Sequence, residues 1–189
     1  VKTESMHETS KQNISKLNLN ERARKLKFFY VILVLVCLLV DQLTKFYFET
    51  NYELGERVNL FAFFDFILAH NNGAAFSMFS NAGGWQKYLF LGLAFGVSAW
   101  LIYMIRKNVL DKFACISMSL IIAGALGNAI DRIVYGYVVD FLLFYWDDWN
   151  FYYPAFNIAD SCITIGVILL IFNEFFLSRK KREIDEAGK

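Results

Sequence analysis

The sequence predicts an α-helical multi-pass membrane protein with four transmembrane helices and both termini cytoplasmic. Three observations carry this. Of the 189 residues, 57% are hydrophobic. The apolar residues fall into four blocks, each close to the roughly 20 residues that cross a bilayer core. Lys and Arg concentrate in alternate connections between the blocks. With 20 Phe against a single Pro, the composition is too apolar for an ordinary soluble domain. A formal charge of +1 argues against a polyanionic partner, so no nucleic acid is expected.

Residues 1–27 are polar and aperiodic and are expected to form a disordered cytoplasmic tail. The first span is about 28–48, "FFYVILVLVCLLVDQLTKFYF". Its apolar run is too long for a signal peptide and no small-residue cleavage pattern follows, so it is expected to be a retained anchor. The second span, about 87–105, follows a connection containing "VNLFAFFDFILAHNNGAAFSMF", a β-prone run that ends in an Asn-Asn-Gly turn and a small-residue patch. Span three covers about 113–131 and span four about 158–177. Between them lies the aromatic-rich segment 141–153, expected as a loop at headgroup level. Residues 28–178 thus form the membrane domain, and 179–189 a basic cytoplasmic tail.

Orientation follows from the cations. Arg22, Arg24, Lys25 and Lys27 precede span one. Arg106, Lys107 and Lys112 separate spans two and three, and Arg179, Lys180, Lys181 and Arg182 follow span four. Four crossings put all three clusters on one side, the cytoplasmic one. The other two connections hold Glu49, Glu53, Glu56, Asp65, Asp140, Asp147 and Asp148 and face outward.

Placed by depth, the unusual polar residues gather at that outer edge. Asp41 and Lys45, four apart with the acid first, sit at ion-pair spacing in the outer half of span one. Gly124, Gly127, Asn128 and Asp131 form one stripe near the end of span three. Small residues there admit a close neighbour, and the polar ones face the bundle. Asn157, Asp160, Ser161 and Thr164 make a similar stripe at the start of span four. Intramembrane ionisable groups mark functional sites by default. The plainer alternative, helix–helix glue, remains open for Asn128, Thr164 and the Asp41–Lys45 pair.

Two carboxyls at one depth suffice for hydrolysis. One, ionised, activates water; the other, protonated, donates to the scissile carbonyl oxygen. Neighbouring carboxyls cannot both ionise cheaply, so their pKa values separate. Asp140, from the outer connection, and Asp160, from the first turn of span four, have suitable placement. The helix start favours the anion at Asp160. Other chemistries lack their parts. There is no GxSxG elbow for a serine hydrolase and no metal-ligand spacing such as HExxH, so neither metal nor cofactor is expected. Cys37, Cys115 and Cys162 lie in apolar segments without a CxxC pair and imply no disulfide framework.

"DQLTK", "HNNGAAFS", "GALGNAIDR", "VVDF" and "FNIADSCIT" occur in this order over about residues 28 to 177. Their order and spacing closely resemble the lipoprotein signal peptidases (signal peptidase II). The resemblance implies a bacterial inner-membrane aspartic endopeptidase with four transmembrane helices and a small extracytoplasmic β-cradle. It implies removal of signal peptides from diacylglyceryl-modified prolipoproteins, with the cut before the lipidated Cys. It makes Asp140 and Asp160 the catalytic dyad. Asn71, Gly73, Asn128, Arg132 and Asn157 become residues that bind substrate or orient the dyad, and Asp41, Lys45 and Asp131 structural polar positions. The partners implied are the lipid-modified prolipoprotein and membrane lipid, and no oligomer is required. The tail 1–27 lies outside the resemblance, and 141–153 is where relatives differ.

Two other classes fit four spans with buried acids: a small proton-coupled transporter, or a scaffold protein held by polar glue. Against a transporter, the acids lie at one edge rather than the midplane and the two halves show no internal similarity.

Overall fold

A computed structural model of the chain describes residues 2–73, 85–107 and 111–178. The patch following Gly73, residues 74–84, and the basic tail 179–189 lie outside the described residues. Helix α1 runs Lys2–Asn51, α2 Trp85–Arg106, α3 Lys112–Val134 and α4 Ile158–Phe172, the last continued by a π-helical turn, Asn173–Ser178. Four stretches are long and apolar enough to cross a membrane: Arg24–Asn51, Trp85–Arg106, Lys112–Val134 and Ile158–Phe176. This is a multi-pass membrane protein. Strands β1 (Arg57–Phe61), β2 (Phe64–Asn71), β3 (Val138–Trp146) and β4 (Phe151–Tyr152) form an antiparallel sheet in the order β1-β2-β3-β4.

Two expectations are corrected. The amino-terminal segment, expected to be disordered, is helical from Lys2 and continuous with the first span. No Gly or Pro interrupts residues 2–51, so the helix nucleated by the apolar span can propagate backwards at little cost. The 141–153 segment is largely strand rather than loop, with a 3₁₀ turn at Asp147–Trp149 between β3 and β4. Asp140 accordingly sits on a strand. Its neighbours Val138, Val139 and Phe141 are also buried, so β3 begins as a strand covered on both faces, and alternation appears only beyond Phe141.

Helix α3 is the hub, packed against α1, α2 and α4. In its apolar window 67% of residues are buried inside the protein, against 11% for α1 and α2 and 22% for α4. The other helices turn large apolar side chains outward, including Leu35 and Leu39 on α1, Trp100 on α2 and Ile168 on α4. Such a surface suits hydrocarbon rather than water. Glycines close the α3–α4 seam. A Cβ on Gly124 would collide with the Ala159 carbonyl oxygen and lie 2.7 Å from Ile163 Cγ1. One on Gly166 would lie 2.7 Å from the Ser117 carbonyl oxygen. Backbone cannot yield as a side chain can, so Gly124→Ala is expected to force the helices apart and destabilise the protein by about 2 kcal/mol or more. Thermal unfolding in detergent checks this, with Gly92→Ala as the neutral control because a Cβ there meets nothing within 4 Å.

The sheet is fastened to α1 by Phe48, which stacks on Phe141 at 4.4 Å between ring centroids and clusters with Leu68 and Val139. Gly136, at φ +90, makes the turn from α3 into β3. After β4 the chain returns to β3: Phe156 N–H donates to the Leu142 carbonyl, and the Phe156 carbonyl accepts from Phe141 and Leu142. That return delivers Asn157, the first residue before α4, beside Asp140. Among the cysteines, Cys115 is buried, Cys37 and Cys162 are half-buried, and all are free thiols.

Candidate active site

The start of α4 is built by its own sequence. Asn157 caps the helix: its side-chain oxygen accepts from Asp160 N–H at 2.9 Å, and Asp160 Oδ2 accepts from Asn157 N–H at 3.3 Å. This capping box fixes the Asp160 carboxyl within the first turn. Its other oxygen accepts from Asn128 Nδ2 at 2.7 Å. Asp140, on β3, accepts from Asn157 Nδ2 at 2.7 Å through Oδ1 and from Asn71 Nδ2 at 3.0 Å through Oδ2. Asn157 Nδ2 also reaches Asn128 Oδ1 at 3.2 Å and the Val139 carbonyl at 3.1 Å. Three acceptors share two hydrogens, so the fully buried Asn157 amide cannot rotate without losing partners. The two carboxyls are therefore joined through an Asn157–Asn128 relay.

Behind the relay lies a buried charge cluster. Lys45 Nζ donates to Asp41 Oδ2 at 3.0 Å, Asp131 Oδ2 at 2.9 Å and Asn128 Oδ1 at 2.9 Å, which uses all three of its hydrogens. Asp131 also accepts from Gln42 Nε2 and from Val139 N–H, tying α3 to α1 and to β3. Asp41 Oδ1 accepts from Ala159 N–H at 2.8 Å, satisfying an amide that a helix start leaves unpaired. The close approach depends on Gly127, where a Cβ would lie 2.6 Å from Asp41 Oδ2.

A cavity of about 650 Å³ opens in front of the carboxyls, and Asn71, Gly73, Asn128, Arg132, Asp140 and Asp160 all line it. Its apolar lining includes Phe90, Leu93, Val97, Ile121 and Ile163. Arg132 donates to the carbonyls of Gly73 at 3.0 Å and Asn128 at 3.3 Å and lies 4.7 Å from the Phe90 ring centroid. Asn71 Oδ1 accepts from Gly73 N–H, so one residue both shapes the turn and holds Asp140. Burial, and behind it the negative charge of Asp160, push the Asp140 carboxyl up to about 8, against the hydrogen bonds from Asn71 and Asn157. At neutral pH it is thus mostly a proton donor.

Of the ten residues given a site or structural role by the resemblance, six line the cavity, and so does Thr164 of the span-four stripe. Asn157, Asp41, Lys45 and Asp131 stand behind it, each within hydrogen-bonding reach of the next shell inward. Gln42, inside "DQLTK", also joins the cluster through Asp131, and its sequence signal is an amide in an apolar helix. Glu49, His70 and Tyr137, which meet beside the cavity, carry no motif spacing that joins them in the sequence.

Residues 33–176 match the family described as Signal peptidase (SPase) II. The chain belongs to that family. It is 47% identical over 158 residues to the lipoprotein signal peptidase of Neisseria meningitidis serogroup C / serotype 2a, covering 82% of this chain and 92% of that one. To the protein of the same name from Shewanella sp. (strain MR-4) it is 46% identical over 162 residues, covering 85% and 94%. A solved structure of a bacterial membrane enzyme superposes with a TM-score of 0.68 at 33% identity, covering 76% of this chain and 85% of that chain. A second matches with the same TM-score at 32% identity, covering 78% and 93%. This signal peptidase II family member is a protease, which decides against the transporter and scaffold alternatives.

Proposed function

We propose that this signal peptidase II family member cleaves signal peptides from diacylglyceryl-modified prolipoproteins before the lipidated Cys, using water activated between Asp140 and Asp160. The supporting observation is that both carboxyls line one cavity, each held by an amide of the same Asn157–Asn128 relay. The names of the relatives support the substrate class.

In the proposed reaction Asp160 is the base and Asp140 the acid. Asp160 takes a proton from water as its oxygen bonds to the scissile carbonyl carbon, and Asp140 gives its proton to the carbonyl oxygen. The tetrahedral intermediate collapses when Asp160 protonates the departing amine and Asp140 recovers a proton from a hydroxyl. Acyl chains and the apolar signal helix would pack along Phe90, Leu93, Val97 and Ile163. The cavity opens at the end of the bundle where α1 and α3 finish and α4 begins, whereas Arg106, Lys107 and Lys112 lie at the opposite end. By the distribution of cations, the termini are cytoplasmic and the site extracytoplasmic.

The test is cleavage by the protein reconstituted in lipid bilayers, with diacylglyceryl-modified and unmodified forms of one precursor. The lipidated form is expected to be cut and the unmodified form at least about 10²-fold more slowly, since remote acyl binding supports the chemical step. Equal rates on both would remove the lipid requirement. Because Asp140 must carry its proton, kcat/KM is expected to fall as pH rises through about 8.

A further inference from the structure

Outside the dyad and its relay, Glu49 of α1, His70 of β2 and Tyr137, in the turn between α3 and β3, meet beside the cavity, which His70 lines. Glu49, in the last turns of α1, accepts from the Tyr137 hydroxyl at 2.8 Å through Oε1. Through Oε2 it lies 2.9 Å from His70 Nε2. The His70 and Tyr137 rings stack, 3.8 Å between centroids and 18° between planes. Burial and the Glu49 hydrogen bond push the Tyr137 phenol up to about 12, so its hydroxyl remains a donor across physiological pH.

This cluster holds the end of a strand. His70 is paired with Val139 in the β2–β3 ladder, and the next residue, Asn71, is the last of β2 and the one that donates to Asp140. The ladder is already interrupted between Phe66 and Ala69, so the strand end relies on few pairings. Glu49 lies one helical turn beyond Lys45 on α1. Lys45 holds Asn128, which holds Asp160; Glu49 holds His70, whose neighbour holds Asp140. A single face of α1 thus reaches both carboxyls by separate routes.

The geometry points to Glu49, His70 and Tyr137 as a positioning clasp that fixes the end of β2 to α1 and so keeps the Asn71 amide against Asp140. It rests on the reading of Asp140 and Asp160 as the hydrolytic pair. The clasp acts through Asn71, so its loss should slow turnover rather than weaken substrate binding.

The experiment measures kcat, KM and the pH profile on a lipidated precursor for Glu49→Ala, Glu49→Gln and Tyr137→Phe, with Asp160→Asn alongside. Glu49→Ala is expected to lower kcat about tenfold with KM within about twofold, the cost of a loosened reactive geometry. Its basic limb should move to higher pH, because the Asn71 hydrogen bond favours the Asp140 carboxylate. Glu49→Gln keeps an acceptor for Tyr137 and a donor for His70 and should recover most of the rate. Tyr137→Phe keeps the ring stack, loses one hydrogen bond and should fall by about threefold; it carries the test if Glu49→Ala does not fold. Unchanged kcat and basic limb, a rise in KM alone, or a lowered thermal midpoint alone would each overturn the clasp. An inactive Asp160→Asn beside a fully active Glu49→Ala sinks the clasp only, whereas an active Asp160→Asn sinks the dyad and the clasp with it.

Discussion

Asp140→Asn and Asp160→Asn should each give an inserted, folded protein that cleaves a lipidated precursor at least about 10³-fold more slowly. Each substitution preserves shape and removes one proton-transfer group. In place of Asp160 the amide cannot take a proton from water, although its oxygen can still accept from Asn128 Nδ2 or from Asn157 N–H. In place of Asp140 it can donate, but cannot recover a proton when the intermediate collapses. One NH₂ then faces Asn71 or Asn157, both donors, which costs a hydrogen bond. Because the Asp140 carboxyl already holds its proton at neutral pH, removing its charge has little further effect there. The thermal midpoint should therefore stay within about 5 °C. The double variant should be no slower than the worse single one, because the two groups act as a unit. Retained cleavage by either single variant removes the proposed pair.

Lys45→Met should produce the largest loss of stability. It leaves Asp41 and Asp131, both almost fully buried, facing one another without their cation. Stranding buried charge in this way costs about 3–5 kcal/mol. Asn128 Oδ1 also loses its Nζ donor and keeps only the longer bond from Asn157 Nδ2, so the amide that holds Asp160 is less firmly fixed. Adding Asp41→Asn should return part of the stability, because the amide oxygen can still accept from Ala159 N–H while one unpaired charge is gone. Denaturant unfolding of the single and double variants in detergent measures both effects. A Lys45→Met protein as stable as the parent would mean that the cluster is solvated rather than buried.

How much of this was legible in the sequence differed from residue to residue. Local periodicity revealed the Asp41–Lys45 pair, because an i, i+4 spacing is enough to bring two side chains together on one helix. The Gly124–Gly127 stripe was legible for the same reason. Asp140 beside the α4 start was not a matter of spacing. It depends on Phe156 returning to pair with Leu142, a contact between backbone groups that no side-chain pattern announces. Strand β3 was hidden because "VVDFLLFYW" is covered on both faces at its start, so the alternation that marks a half-exposed strand is missing. Glu49, His70 and Tyr137 come from α1, β2 and the turn before β3, and are brought together by the docking of the sheet on Phe48.

The proposed mechanism requires that Asp140 and Asp160 together hold one proton, with Asp140 protonated and Asp160 ionised. Its most direct measurement is a carbon-13 NMR titration of the Asp carboxyls in the native protein and in Asp160→Asn. Asp140 is expected to titrate near pH 8 in the native protein and at lower pH once the neighbouring charge is removed. An Asp140 carboxyl that titrates below about pH 5, with the same midpoint in Asp160→Asn, would contradict it.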